Sequence, residues 1–515
     1  MDLKNKLAGL VFALILGINL VSSGGHFDSN DGIEQFLITE SIVLKNTFKL
    51  DPTVPSAKVM DFNVKKSIET YYSLQNGKQR DSSEPIQPIH SMRSLLLSII
   101  AIPFYYLGII FSISPITTVG LFVNSIVISL TALVIFYFIT DLLKSTKIAV
   151  FLAVIFSVST FIWPYNTSLF PQPLQGLTLI SSIYFLNKTT NHDYKSAVIG
   201  GTLLGLTMFT SPASMLFVAG VTVFSIFKLP DRKIFATFLV TLILILFILF
   251  ILNFVRFGSF TDFGYGTFSN IEKHSGVIGL AGLIFSPGFG ILAFFPLAIL
   301  TPFAIKRMYK SEKLLAILFI YIILSTWLFY GTITWAEPAG WSGAGGWGPR
   351  YLVGIIPIFI VSMAFLMKNQ ESKIIKGAII ITTVLGFVVN LLGVLVWYMY
   401  GYSFGWVVER LWQKENSMNE MTWVPQYSPI ILHLKALMIN YVGSMQAIEE
   451  SGKTTVNGAS GFMINGLYSC SIDSYIFCKV GFVGTIIALI ILAILVIIIL
   501  KINKNNNYKG IKNFN

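Results

Sequence analysis

"FATFLVTLILILFILFILNF" (235–254) runs without a single charged side chain. At 1.5 Å of rise per residue such a run makes a helix of about 30 Å, the thickness of a bilayer's hydrocarbon core. "FVGTIIALIILAILVIIIL" (482–500) repeats the pattern near the other end of the chain. Across all 515 residues, 54% are hydrophobic and only 12% charged, with a mean hydropathy of +0.73. Soluble domains carry about 25% charged residues. The expectation is an all-α polytopic membrane protein. The net charge of +12 then reports cytoplasmic loops and not a nucleic-acid partner.

Working outward, spans are expected near 7–22, 117–140, 148–163, 168–186, 197–211, 213–227, 234–254, 283–305, 314–333, 351–367, 377–400 and 481–500. Lys4 and Lys6 precede the first as in a signal peptide, but no small-residue cleavage site follows, so it is expected to be retained. Segment 94–112 is a thirteenth candidate, broken by Pro103. Loops 141–147, 187–196, 228–233, 306–313 and 368–376, with both termini, hold 20 of the 36 Lys and Arg but only 6 of the 24 acids. That asymmetry marks them as cytoplasmic. It holds only if 94–112 dips into the outer leaflet without crossing, which a Pro-interrupted helix buried against protein can do. About 12 crossings result, within a range of 11–13.

The acids lie in loops and not within the apolar runs, unlike a proton- or ion-coupled transporter, which keeps ionisable groups at mid-depth. There is no phosphate-binding P-loop, no His-Glu-x-x-His pair and no dinucleotide glycine fingerprint. Attention moves to the loops expected outside: 23–93, 255–282, 334–350 and 401–480.

The first of these opens with "HFDSNDGIEQ" (26–35), where Asp28, Asp31 and Glu34 stand three residues apart. The following "IEQFLITESIVLKN" has helical apolar spacing and reads as an amphipathic helix on the membrane. Clustered carboxylates beside apolar surface suit acid–base work. Asp31 with Glu34 equally forms a D-x-x-E variant of the capping box. His90 and Arg93 sit where 94–112 begins, at head-group level, as phosphate ligands or as snorkelling anchors. "WAEPAGWSGAGGWGPRYLVGIIPIF" (335–359) offers Trp335, Trp341 and Trp347, either an interfacial belt or sugar-stacking rings, and Arg350 at a helix mouth. "RFGSFTDFGYGTF" (256–268) adds Arg256, Asp262 and Tyr265 among glycines. Cys470 and Cys478, both expected outside, are candidates for a disulfide and too few for a zinc site.

The order of these motifs with "WPYNTSLFPQPLQGLTLISSIYFL" (163–186), "GGTLLGLTMFTSPASMLF" (200–217) and "GLIFSPGFGILAFFPL" (282–297) resembles the GT-C superfamily of polyprenyl-phosphate-sugar-dependent glycosyltransferases. The likeness is to the protein O-mannosyltransferase and aminoarabinose-transferase branch. It covers residues 1–400 as one transmembrane catalytic module with juxtamembrane helices in its first external loop. The 401–480 loop lies outside it, and 481–515 supplies a last span and basic tail. The resemblance implies an acidic base in the first external loop. Asp31 in "NDGIEQF" matches best and Asp28 second, since no adjacent Asp-Glu pair is present.

On that basis the chain is expected in the cell membrane with its active site facing outside. It would take a polyprenyl-phosphate sugar as donor and a protein, lipid or polysaccharide hydroxyl as acceptor. Arg350, Arg93, His90 and Arg256 would hold the lipid phosphate, and Trp341, Trp347 and Tyr265 the sugar or acceptor. The resemblance leaves room for a divalent metal without demanding one. The rival expectations are a transporter or flippase of lipid-linked sugars, and a membrane scaffold with an external binding loop.

Overall fold

The computed structural model describes residues 3–26, 29–59, 67–73, 86–264, 276–332, 340–343, 345–368, 370–396, 405, 409–414, 417–438 and 473–512. They form a helical membrane bundle. Among them the only strand-like pairing is one antiparallel bridge, Leu50 to Ile89. Seven segments are long and apolar enough to cross a membrane: Lys4–Ser22, Pro115–Leu143, Arg232–Phe257, Lys313–Thr332, Arg350–Met367, Lys373–Leu395 and Lys479–Ile502.

In chain order the principal helices are α1 (Leu3–Ser22), α2 (Asn30–Lys45), α3 (Leu95–Ile110), α4 (Pro115–Leu143), α5 (Thr146–Val158), α6 (Gln172–Lys188), α7 (Tyr194–Thr210), α8 (Met215–Lys228) and α9 (Arg232–Phe257). They continue with α10 (Gly276–Phe285), α11 (Thr301–Ser311), α12 (Lys313–Thr332), α13 (Ile356–Met367), α14 (Lys373–Leu395), α15 (Pro429–Met438) and α16 (Tyr475–Lys512). The best-buried are α4 and α13, apolar around much of their circumference, as a central membrane helix must be. By contrast α9 and α16 leave Ile243, Phe247, Ile487 and Ile494 exposed, which suits a lipid-facing surface.

Two expected elements differ. The span 283–305 is not one helix: α10 ends at Phe285, a turn follows through Ser286–Gly290, and short helical pieces lead into α11. Pro287 cannot donate to a helix, and Ser286 Oγ instead accepts from Gly288 N and Phe289 N at 3.1 and 3.0 Å. Helix α2 is not a half-exposed surface helix either. Residues 32–41 are all buried, including Glu34, Gln35 and Glu40, because the bundle covers one face and the rest of the first loop covers the other. Helix α3 does form around Pro103, and its 16 residues reach only about 24 Å, short of a full crossing.

Contacts at opposite poles orient the bundle. At one pole Lys4 Nζ pairs with Asp141 Oδ1 at 2.5 Å, and Tyr184 OH donates to Asp141 Oδ2 at 2.9 Å. At the other, His26 Nε2 meets Asp473 Oδ1 at 2.8 Å, tying the exit of α1 to the entry of α16.

Helices α10 and α12 meet with backbones almost touching, and a methyl on Gly279 would land on the Gly331 carbonyl. Gly279→Ala should therefore lower the thermal stability of the detergent-purified chain by about 1–3 kcal/mol. Gly377→Ala, where a Cβ meets nothing within 4 Å, should be neutral or slightly stabilising in the same melting assay.

Candidate active site

The site begins with a cap. Ser29 Oγ accepts from Gly32 N at 3.1 Å and starts α2, so Asp31 is not the residue that caps the helix. Its carboxylate stands in the first helical turn and reaches outward. Oδ1 accepts from Arg93 Nη2 at 2.7 Å and Oδ2 from Arg350 Nη1 at 2.8 Å. One carboxylate thus bridges two guanidinium groups brought from distant parts of the chain.

Each arginine is placed by its own device. Arg93 lies in the turn before α3, where Ser91 Oγ accepts its backbone N–H at 3.1 Å. Its Nε donates to Glu34 Oε2 at 2.8 Å. Glu34, three residues along α2 from Asp31, also accepts from Ser67 Oγ at 2.6 Å, from Ser91 Oγ at 3.2 Å and from the Tyr71 hydroxyl. Burial and the negative charge of Glu34 push the Tyr71 hydroxyl well above its ordinary range, which keeps it a donor. Arg256 Nη2 donates to the carbonyls of Ser91 and Arg93, the latter at 3.0 Å, fixing the backbone that carries Arg93.

Arg350 enters from the glycine-rich run. Gly343, Gly345 and Gly348 all take positive φ (72°, 94° and 71°), which only glycine adopts without strain. That path turns the chain sharply into the span beginning at Arg350. The guanidinium lies 4.6 Å from the centre of the Phe170 ring and 5.6 Å from that of Tyr351. Its Nε has no hydrogen-bond partner among the described residues.

Burial disfavours the charged form of Asp31, but the charges of Arg93 and Arg350 and the Arg350 hydrogen bond outweigh it. The carboxyl is held below its ordinary range. His90 goes the other way from a cation: burial first, then the charges of Arg256 and Lys49, push it down to about 4. It is neutral at pH 7, and its ring meets Phe257 edge-on at 6.2 Å.

Of the residues singled out from sequence, Asp31, Glu34, Arg93 and Arg350 form one network, with Arg256 and His90 adjoining. Trp347 has other partners. It is buried, its Nε1 donates to Asn390 Oδ1 at 3.1 Å, and its ring packs against His433 and Phe294. Trp341 is buried as well, 6.4 Å from Trp423 between ring centres, and its Nε1 has no partner among the described residues. Asp28, Tyr265, Trp335 and Cys470 lie outside the described residues, as does the side chain of Cys478.

Nothing in the sequence pattern points to Ser67 or Tyr71 as partners of Glu34. Phe170, beneath Arg350, lay unremarked inside a quoted motif. Both Asp31 oxygens face guanidinium groups. Among the described residues no three His, Cys, Asp or Glu side chains gather to hold a metal.

Lowering the pH should weaken the fold through His90. The unfolded side chain takes up a proton near 6.5, whereas the folded one waits until about 4. Between those values the unfolded chain binds more protons, so stability falls as pH falls. His90→Gln should flatten the pH dependence of the melting temperature across that window.

No family model matches the sequence, and no curated protein matches it. Solved structures do match in shape. ArnT from Cupriavidus metallidurans, determined bound to undecaprenyl phosphate, superposes with a TM-score of 0.51 at 11% identity, covering 90% of this chain and 84% of that one. The apo oligosaccharyltransferase of Archaeoglobus fulgidus gives 0.48 at 11% identity, covering 81% of this chain and 59% of its own. The chain shares its overall fold with ArnT.

Proposed function

We propose that the chain is a membrane glycosyltransferase that moves a sugar from a polyprenyl-phosphate donor to an acceptor hydroxyl at the extracytoplasmic face of the cell membrane. The observation that carries this is the carboxylate of Asp31 set between Arg93 and Arg350 at one pole of a GT-C bundle. The undecaprenyl phosphate bound by ArnT supports a lipid phosphate as the ligand class.

Asp31 is the general base, with Asp28 as the second candidate. It takes the acceptor's hydroxyl proton as that oxygen forms a bond to the anomeric carbon. The bond from that carbon to the phosphate oxygen breaks, its electron pair leaves with polyprenyl phosphate, and direct displacement inverts the configuration. Arg93 and Arg350 stabilise the charge that develops on the leaving phosphate. Arg256 and neutral His90 back this cradle, Arg256 by holding the 91–93 backbone and His90 as a hydrogen-bonding group at its edge. Glu34 keeps Arg93 in register. Trp341, whose indole N–H has no partner among the described residues, is the candidate sugar contact of the glycine-rich run.

Asp31→Asn should fold and lower the rate of sugar transfer about 10²–10⁴-fold. Arg350→Ala should lower it about 10²–10³-fold through loss of charge stabilisation. Both are read by incubating purified protein with a panel of polyprenyl-phosphate sugars and acceptors and following release of polyprenyl phosphate. New glycosidic bonds identify a transferase, whereas lipid that is translocated but unmodified identifies a flippase. Absence of release from every donor by folded protein would overturn the assignment.

A further inference from the structure

The Asp31 bridge raises a difficulty for a base: a carboxylate held by two arginines has little affinity for a proton. The same geometry supplies an answer. We propose that Asp31 is a resident counter-anion of Arg93 and Arg350, that the donor's phosphate displaces it from both guanidinium groups, and that the base is thereby released only once the donor is seated. This rests on the polyprenyl-phosphate reading of the site and adds to it an order of events.

The two carboxylates of the cluster are built differently. Glu34 is bound by Ser67, Tyr71 and Ser91 as well as by Arg93 Nε, and its side chain is 5% exposed. Among the described residues Asp31 bonds only to the two guanidinium groups, and its side chain is 21% exposed. An incoming anion would therefore displace Asp31 and leave Glu34 in place. Arg93 would stay positioned through its Nε, with Arg256 still holding the backbone on either side of it.

Arg350 is suited to the same exchange. Its Nη1 serves Asp31, its Nε has no partner among the described residues, and its guanidinium carbon lies 4.6 Å from the centre of the Phe170 ring. A guanidinium offers one planar fork to carboxylate or phosphate alike, so the two anions compete for the same donors. A polyprenyl-phosphate sugar is a phosphodiester with one negative charge, equal to that of the carboxylate it replaces. The exchange is therefore neutral in charge. Freed from two cations and placed beside a phosphate, Asp31 becomes more basic on both counts. Proton transfer to it then coincides with the presence of a sugar to attack, and the arginines meet the second negative charge that the phosphate gains on leaving.

The test measures binding of farnesyl phosphate to the full-length chain in detergent, by calorimetry, alongside melting curves that verify folding. Asp31→Asn should bind about tenfold more tightly than wild type, because the competing anion is gone while the arginines remain. Asp31→Ala serves as a second variant and should tighten binding likewise. Arg350→Ala should abolish it. If wild type binds and Arg350→Ala does not, yet both folded Asp31 variants bind as wild type or more weakly, the displacement idea falls and the phosphate site stands. If neither wild type nor the folded Asp31 variants bind, the phosphate site itself is lost and the displacement with it.

Discussion

Four charged side chains meet at one pole of an apolar bundle, and each of them depends on the others. Arg93 and Arg350 supply two positive charges; Asp31 and Glu34 supply two negative ones. Taking an isolated ion out of water costs several kcal/mol, and removing one partner of a buried pair strands the other. The cluster is tolerable only because it is neutral overall and each carboxylate oxygen faces a donor. Its members come from α2, the turn before α3, and the mouth of the span containing α13. Satisfying their charges therefore draws three separate loops to one place. Arg350 and Asp31 are 319 residues apart in the chain, so this electrostatic demand acts as a long-range tie between the beginning and the later part of the fold.

Lesser ties surround it. Glu40, on the same helix as Asp31, accepts from Ser56 Oγ and Tyr105 OH at 3.0 and 3.1 Å and holds the middle of the first loop against α3. Burial raises its pKa despite these hydrogen bonds, the opposite of Asp31, which has guanidinium partners. His26 and Asp473 clasp α1 to α16, with Ser474 Oγ donating to the Val21 carbonyl at 2.7 Å beside them. Thr422 accepts from Ser286 Oγ at 2.7 Å and from Gly288 N at 3.2 Å, so the later loop seals the break after α10. Each tie places polar groups of a loop against polar groups of another loop.

The bundle was legible in the sequence because membrane helices satisfy their own backbone and announce themselves by length and composition. Legibility failed where local polar chemistry overrode averaged hydropathy. "SPGFG" after Phe285 contained its own signal, a proline between a serine and glycines, yet the apolar residues around it read as one span. The acid cluster was visible in the sequence, but whether Asp31 caps the helix turned on Ser29, whose own capping bond leaves Asp31 to the arginines. Trp347 illustrates the reverse limit. Composition alone cannot distinguish a ring at a surface from one packed against His433 with its N–H satisfied by Asn390. Nor could the pattern around Tyr71 point to Glu34, since a tertiary hydrogen bond leaves no local periodicity.

The placement of acid beside a membrane follows from the same balance of charges. On the proposed reading, a site that accepts a lipid phosphate needs fixed cations near the bilayer, and fixed cations need anions whenever the lipid is away. Carboxylates held rigidly would compete permanently with the ligand; carboxylates held loosely would leave the arginines free to wander. On that reading the pair on α2 divides those duties over one helical turn. Glu34 is locked by neutral donors and fixes Arg93, while Asp31 is held only by the cations themselves. Three residues of spacing put both carboxylates on one helical face yet at different depths. The capping of α2 by Ser29 is thus more than a local detail, because a shift of the helix start by one residue would turn Asp31 away from the arginines by about 100°.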